Sequence, residues 1–234
     1  MSEEYTRENY PSFGKKYAGE KAIISLTSWK ARIDTVSKTL YSLLKQCPGF
    51  HIVLVLSEEE FPKMMDELPA NLKLFVKNNL VEVLWVYKNY KAFKKVLFTM
   101  DKYRNVPVIS ADDDCIYTCN YAEELYRKWD GQEDKKCFIK YDYNREYPDP
   151  YLPQGPTTLY YGFSDKAMEI IRSLKPINLR KSEDDLYNRE FLKKWKYKSW
   201  YVHGSIKKPY IFHDVLRPLH KYLENRKCFK GAFV

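Results

Sequence analysis

Short apolar runs recur along the first half of the chain, and each is bounded by polar or turn-forming residues. These runs are apolar at nearly every position, which is typical of strands buried on both faces of a sheet. They predict four strands: KAIISLT at 21–27, HIVLVL at 51–56, VEVLWV at 81–86 and VPVIS at 106–110.

The segments between these strands carry apolar residues at helical spacing. The first predicted helix covers TVSKTLYSLLKQ, with Asp34 as its N-cap and CPG at 47–49 closing it. Ser57 and Glu60 have the spacing of a capping box, which predicts a short helix directly after the second strand. Residues 90–103 place an apolar stripe opposite lysines, which predicts a surface helix.

Strands that alternate with helices predict an α/β fold with a doubly wound, Rossmann-like, mostly parallel sheet. The second half is more irregular, since residues 142–157 hold four prolines and one glycine. It still predicts a helix near 120–130, strands at 136–141, 157–163 and 196–202, and helices at 164–174 and 182–195. With 234 residues, no internal repeat and no low-complexity linker, the chain predicts a single domain.

The composition excludes a disordered chain, because 44% of the residues are apolar and 16% are aromatic. The net charge of +9 favours anionic partners such as nucleotide phosphates or an anionic membrane face. The five cysteines form no zinc-like pattern, and apolar runs of about six residues are far shorter than a membrane span. Together with a polar N-terminus that has no apolar signal core, these features predict a cytoplasmic protein.

The fourth predicted strand ends in three consecutive carboxylates, Asp112, Asp113 and Asp114. Adjacent like charges repel each other unless water or a cation screens them. Carboxylates at positions i and i+2 of a loop can offer oxygen ligands to one Mg²⁺ or Mn²⁺ ion, which also binds phosphate oxygens. Ligands of open α/β sheets bind at the carboxyl ends of the strands, so this loop predicts a metal site. A solvated acidic turn is the alternative.

The ADDD sequence at a strand end resembles the DxD metal motif of GT-A glycosyltransferases, and other segments follow in the matching order. They are IISLTSWKARI at the first strand, the lysine-rich helix, and SEDD some 70 residues after the DxD. The resemblance covers roughly residues 21–200 and is closest to family-2-like bacterial and viral transferases. It implies one GT-A domain with a nucleotide-sugar-binding half at about 20–118, an acceptor and catalytic half at about 119–206, and a basic tail at 207–234.

The resemblance implies a binding site for a nucleotide-sugar donor. Thr27 and Ser28, at the tip of the first strand, and Arg32 just beyond it would contact the nucleotide. Lys94 and Lys95 stand where such enzymes often keep a basic residue near the donor. A solvated helix face explains these two lysines equally well.

The same resemblance assigns roles to the acidic cluster, with Mn²⁺ or Mg²⁺ as the cofactor. Asp112 and Asp114 would bracket the metal and the diphosphate, and Asp113 would contact the ribose or the donor sugar. His203 and His213 are candidates for a third metal ligand, with His213 the preferred one. A lone histidine is more often structural.

The SEDD segment offers a catalytic base. In inverting GT-A enzymes an aspartate at this place removes the proton of the acceptor hydroxyl, which implies Asp184 or, one residue later, Asp185. The alternative is structural, because acidic residues in the first turn of a helix that Ser182 caps would complement the helix dipole.

An acceptor site is implied in the aromatic second half, because sugars are commonly bound by aromatic faces. The candidates lie around the PQGP loop: Tyr141, Tyr143, Tyr147, Tyr151, Tyr160, Tyr161 and Phe163. The segment 207–230 holds seven Lys or Arg against two acidic residues, with aromatic residues between them. This pattern suits peripheral contact with an anionic membrane that presents a glycan or lipid-linked acceptor, although a solvated basic tail has the same composition.

Three other classes of function match parts of the sequence. DDDCI resembles the first motif of haloacid dehalogenase-type phosphatases, but that motif normally ends the first strand of its domain, and here three strands precede it. A nucleotidyltransferase would share the metal site, but TSWKARI lacks the expected glycine-rich phosphate loop. A basic nucleic-acid-binding protein would explain the net charge but not the acidic cluster, so no nucleic acid is expected.

Overall fold

The structure is a computed structural model that describes residues 9–46, 48–130, 137–140, 158–162, 200–202 and 210–211. The strands within these ranges are β1 (Ser12–Gly14), β2 (Ala22–Thr27), β3 (Phe50–Ser57), β4 (Glu82–Val86), β5 (Val108–Ser110), β6 (Cys115–Ile116), β7 (Cys137–Lys140), β8 (Thr158–Tyr160), β9 (Trp200–Val202) and β10 (Tyr210–Ile211). The α-helices are α1 (Val36–Leu44), α2 (Ala70–Lys77), α3 (Lys94–Lys102) and α4 (Tyr121–Trp129). None of the helices in this part of the chain has the length and apolar character that a membrane span requires.

Eight strands form one sheet in the order β1-β4-β3-β2-β5-β8-β7-β9, and β6 pairs with β10 in a separate ribbon. The central strands β4, β3, β2 and β5 are parallel to one another, as are β7 and β9. β1 and β8 run antiparallel to their neighbours. The predicted α/β fold with a mostly parallel sheet flanked by helices is therefore confirmed.

Helices cover both faces of the sheet, because successive side chains of a strand point to opposite faces. Ile24 and Leu54 face the apolar layer that includes α1, α2 and α4. Ile23 and Val53 face the other layer, which α3 completes. Strand β3 is buried at all of its positions, which explains an apolar sequence without alternation.

Two predicted helix starts are wrong, because residues that often cap helices lie in turns here. Helix α1 begins at Val36, and the exposed Asp34 lies in the turn before it. After Ser57 the chain makes a turn in place of the predicted helix: the Ser57 carbonyl accepts a hydrogen bond from the Glu60 amide at 3.2 Å. The next α-helix begins only at Ala70.

Helix α3 is not the surface helix predicted for residues 90–103. A 3₁₀ turn at Lys91–Phe93 precedes it, and every side chain from Lys94 to Asp101 is buried. The helix packs against β2, β3 and β5, so its lysines are enclosed as well as its apolar stripe. Strand β1 and the β6–β10 ribbon were not predicted, and the helices predicted at 164–174 and 182–195 lie outside the described residues.

A buried polar cluster joins β3 and β4 near their amino-terminal ends, away from the acidic loop. Glu82 lies 2.7 Å from Nε2 of His51, forms a 2.9 Å ion pair with Lys102, and accepts a hydrogen bond from the Tyr103 hydroxyl. Burial alone raises the pKa of the Glu82 carboxyl, but the His51 hydrogen bond and the Lys102 charge outweigh burial and lower the pKa to about 2. The carboxylate therefore stays charged in the folded protein down to strongly acidic pH.

Candidate metal and donor site

The acidic loop lies at the carboxyl ends of two neighbouring strands. β2 and β5 are parallel partners with Ser25 opposite Ser110, and the Ala111 amide donates a 2.8 Å hydrogen bond to the Ser25 carbonyl. The pairing brings the loop that follows Thr27 beside the loop that follows Ala111. Ligands bind at this edge of open α/β sheets, so the predicted donor residues and metal ligands share one location.

Asp113 ties these two loops together. Its carboxylate accepts a 2.6 Å hydrogen bond from the Ser28 hydroxyl and forms a 2.7 Å ion pair with Arg32. The Thr39 hydroxyl, on α1, donates to the backbone carbonyl of Asp113 at 2.9 Å. Because Asp113 is only 6% exposed, these partners take the place of water around its carboxylate, and the side chain holds the loop after β2 in place.

Asp112 and Asp114 lie on either side of this anchor and have different cationic partners. Nζ of Lys95 lies 2.5 Å from Oδ1 of Asp112, and Nη1 of Arg32 lies 3.2 Å from Oδ2 of Asp114. The Asp112 side chain is 40% exposed, whereas that of Asp114 is 10% exposed. The backbone amide of Asp112 donates to the Tyr117 hydroxyl at 2.7 Å, which fixes the start of the loop.

The geometry of Asp112 and Asp114 is compatible with one metal ion. A carboxylate oxygen of each and the sulfur of Cys115 lie within 4.8 Å of one another. Burial and the charges of the two aspartates raise the pKa of the Cys115 thiol well above its usual value, and sulfur is in any case a soft ligand. The remaining donors are carboxylate oxygens, which suit hard cations such as Mg²⁺ and Mn²⁺.

Two adjacent lysines of α3 reach different parts of this sheet edge. Lys94 is 2% exposed and donates to Glu60 and to Asn89, each at 3.2 Å. Lys95 is held beside the acidic loop, because the Ser25 hydroxyl donates to its backbone carbonyl at 2.7 Å. The solvated helix face that was the alternative for both lysines is therefore excluded, and Lys95 is the one that contacts the acidic cluster.

A carboxylate that sequence reasoning missed lies at the same edge. Glu58 directly follows β3, and its Oε1 is buried with no hydrogen-bond partner among the described residues. A buried carboxylate oxygen without a donor is costly, so Glu58 is a candidate to accept a hydrogen bond from a ligand. The available signal was its place just after the mostly apolar strand β3, but the capping-box interpretation of Ser57 predicted a helix there.

Thr27, by contrast, already has a partner within the sheet. Its hydroxyl donates a 2.6 Å hydrogen bond to the carbonyl of Val55 on β3, and the residue is 7% exposed. The bond joins the ends of β2 and β3. This is the edge at which Glu58 also lies.

The predicted base and most of the predicted acceptor residues lie outside the described residues, as do His203 and His213. Of the aromatic candidates that the structure describes, Tyr160 is buried in the core on β8. The ring of Tyr161 packs 4.6 Å from that of Trp129. Strand β10, which ends two residues before His213, pairs with β6 through Ile211 and Cys115.

Comparisons with known proteins support the fold assignment. No protein-family model and no curated protein sequence matches the chain. Among solved structures, the glycosyltransferase GlyE of Streptococcus pneumoniae TIGR4 is similar at a TM-score of 0.50 and 12% identity. The mannosyltransferase PcManGT of Pyrobaculum calidifontis, solved with GDP-Man and Mn²⁺, is similar at a TM-score of 0.54 and 10% identity. The matches cover 79% and 94% of this chain but 45% and 65% of the two enzymes, so it spans less than two thirds of either.

At these identities the likeness establishes the fold, which is that of the GT-A-type glycosyltransferases. The resemblance that the ADDD loop and its flanking segments suggested is confirmed at this level. The metal ligands, the donor contacts and the base remain predictions.

Proposed function

We propose that this protein is a metal-dependent glycosyltransferase that moves a sugar from a nucleotide-diphosphate donor to a hydroxyl of a glycan or lipid-linked acceptor. The observation that carries the proposal is the position of Asp112 and Asp114 at the carboxyl end of β5, beside Lys95 and Arg32. A metal–diphosphate complex needs acidic groups that bind the cation and basic groups that bind the phosphates. Both kinds of group lie at this edge of the sheet. PcManGT, which shares the fold, was solved with a nucleotide-sugar and Mn²⁺.

Asp112 and Asp114 would hold Mn²⁺ or Mg²⁺. When bound there, the cation would neutralise negative charge as the diphosphate leaves the sugar. His213 is the candidate third ligand, and the pairing of β10 with β6 supports it, because this ribbon joins the chain just before His213 to the strand after Asp114.

The nucleotide would lie across the ends of β2 and β3. Arg32 can share its charge between Asp113 and a phosphate, and Ser28 and Thr27 line the loop at the end of β2. Glu58 supplies a buried acceptor oxygen at the end of β3, which suits an N–H or O–H group of a base or ribose. Lys94 would act indirectly, by positioning the turn that contains Glu60.

The acceptor hydroxyl would be deprotonated by Asp184 or Asp185 during direct displacement of the diphosphate, which inverts the anomeric centre. A carboxylate on the side of the anomeric carbon opposite the diphosphate can take this proton as the new bond forms. The support is the SEDD segment and its order after the acidic loop.

A thermal-shift screen of UDP- and GDP-linked sugars, with and without Mn²⁺, tests the proposed function. A ligand that binds only the folded state raises its stability by mass action. We expect at least one nucleotide-sugar to raise the melting temperature only when Mn²⁺ is present. Asp34→Asn, which removes an exposed carboxylate two residues after Arg32, should behave like the wild type. Equal shifts with and without Mn²⁺ for every donor would exclude metal-dependent donor binding.

A further inference from the structure

Every carboxylate of the acidic loop has a cation of the protein itself within ion-pair distance. Arg32 contacts Asp113 at 2.7 Å and Asp114 at 3.2 Å, and Lys95 contacts Asp112 at 2.5 Å. Among the described residues, the three carboxylates of the loop therefore share two basic side chains. A metal that binds through Asp112 must compete with the ammonium group that already contacts it.

Lys95 is held at this position by the fold. It lies in the first turn of α3, where the Ser25 hydroxyl donates to its backbone carbonyl at 2.7 Å and also lies 2.8 Å from the Thr99 hydroxyl. Its side chain is only 10% exposed, whereas that of Asp112 is 40% exposed. Because the backbone of Lys95 is fixed to β2, a change of partner for Lys95 would move only its side chain.

A metal ion alone would separate the Lys95 ammonium from its carboxylate in a largely buried place. Breaking an ion pair in such a place is unfavourable. A diphosphate that arrives with the metal removes this cost, because its oxygens offer the ammonium a new anionic partner. When the metal and the diphosphate bind together, the ion pair between Lys95 and Asp112 is lost. Two new contacts replace it: Lys95 pairs with the diphosphate, and Asp112 binds the metal.

We propose that Lys95 couples metal binding to diphosphate binding, by occupying Asp112 until the two ligands arrive together. The coupling rests on the proposed metal and diphosphate site and adds a regulation to it. The free site would bind metal weakly, and the metal–diphosphate complex would bind tightly. Lys95 is in this sense a positioning and gating residue.

Calorimetric titrations with Mn²⁺ alone and with the preformed Mn²⁺–pyrophosphate complex test the coupling without any enzyme assay. We expect Lys95→Met to bind Mn²⁺ alone about tenfold more tightly than the wild type. This factor corresponds to a wild-type protein in which Lys95 occupies Asp112 for about nine-tenths of the time. The same variant should bind Mn²⁺–pyrophosphate about tenfold more weakly, because it lacks one charge-assisted hydrogen bond. Opposite changes are the signature of exchange, whereas a merely structural role would weaken both.

Two variants serve as controls. Lys95→Arg keeps the positive charge, so its two affinities should stay within about threefold of the wild type. Lys91→Met removes an exposed lysine four residues earlier and reports the effect of net charge alone, which salt screens at such a position. Circular dichroism of each variant confirms that the fold is retained.

The outcomes separate this proposal from the proposed function. If the wild type binds Mn²⁺–pyrophosphate and Lys95→Met binds Mn²⁺ alone no more tightly than the wild type, the coupling is wrong and the metal site stands. If neither protein binds Mn²⁺ in any form, both proposals are wrong. If the opposite changes occur and no nucleotide-sugar is turned over, the coupling is correct and the glycosyltransferase assignment is wrong.

Discussion

The hydroxyl of Ser28 donates a 2.6 Å hydrogen bond to the carboxylate of Asp113, a residue 85 positions further along the chain. Both side chains are buried, so this contact ties the loop after β2 to the loop after β5 at the sheet edge. The contact therefore fixes the position of the loop that carries the predicted nucleotide contacts relative to the loop that carries the predicted metal ligands. Ion pairs and hydrogen bonds between the protein's own side chains therefore organise the candidate site.

Ser28→Ala should destabilise the fold, because it removes a hydrogen bond to a buried carboxylate. We expect a loss of about 1–3 kcal/mol in the free energy of unfolding, the usual effect of leaving such a group incompletely paired. Urea denaturation measures it, with Ser37→Ala on α1 as the control, because the Ser37 hydroxyl makes its hydrogen bond with Asn71 at an exposed position. A difference from the control below about 0.3 kcal/mol would show that the contact does not hold the loop.

The stability of the protein should fall in acid because of Glu82. Its folded pKa of about 2 lies below the ordinary value of 4.5, so between these values the unfolded chain binds a proton that the folded chain does not. This contribution of Glu82 to the free energy of unfolding is fully present above about pH 4.5 and is lost as the pH falls toward 2. A pKa shift of this size corresponds to a contribution on the order of 3 kcal/mol. Urea unfolding of the wild type and Glu82→Gln at several pH values measures it.

Glu82→Gln should be less stable than the wild type at neutral pH and should lose less stability on acidification. Asp34→Asn, which removes an exposed carboxylate, serves as the control for a change of charge alone. Parallel pH profiles for the wild type and Glu82→Gln would argue against this assignment.

Asp184→Asn and Asp185→Asn test the proposed base. Removing a general base should lower turnover by about 10²–10⁴-fold while donor binding persists, because the base acts on the acceptor. Turnover and donor affinity are measured on the same preparations, so that a loss of fold is recognised. Near-normal turnover in both variants would leave SEDD as a helix cap and remove the residue on which inversion depends.

Peripheral membrane contact through the 207–234 tail is tested by co-sedimentation with anionic liposomes at low and high salt. The seven basic residues of 207–230 should give binding that high salt weakens, because the attraction to anionic lipid is screened. Lys207 and Lys208 precede strand β10 in the chain. Replacing both with glutamate should reduce the sedimented fraction. Equal binding of this variant and the wild type would remove the proposal.

Much of the fold could be predicted from sequence because buried parallel strands are apolar at nearly every position. Strands β2 to β5 were predicted in this way, and the rule that α/β sheets bind ligands at strand ends located the acidic loop. Helix boundaries were less predictable, because Asp34 and Ser57 stabilise turns as readily as helix starts. The pairing of β6 with β10 joins segments almost 100 residues apart, and two-residue strands leave no pattern in the sequence.

The candidate site was predictable in its location but not in its internal contacts. Asp112 and Asp114 were predicted as ligands from their i, i+2 spacing at a strand end and from the resemblance to the DxD motif, and the structure places their oxygens close together. The separate partners of Lys94 and Lys95 depend on how α3 packs against β2, which residue spacing does not encode. Glu58 was missed because its burial comes from neighbouring segments and not from its own sequence context.

Release of nucleoside diphosphate from a nucleotide-sugar, measured with and without Mn²⁺, is the most direct test of metal-dependent sugar transfer by Asp112 and Asp114. Donor hydrolysis by water serves as the reaction, so no acceptor needs to be known. We expect the wild type and Asp34→Asn to release nucleoside diphosphate only with Mn²⁺. Asp112→Asn and Asp114→Asn should be at least about 10²-fold slower, because a catalytic cation stabilises the transition state by several kcal/mol. Mn²⁺-dependent release within about twofold of the wild type in both variants would contradict the assignment.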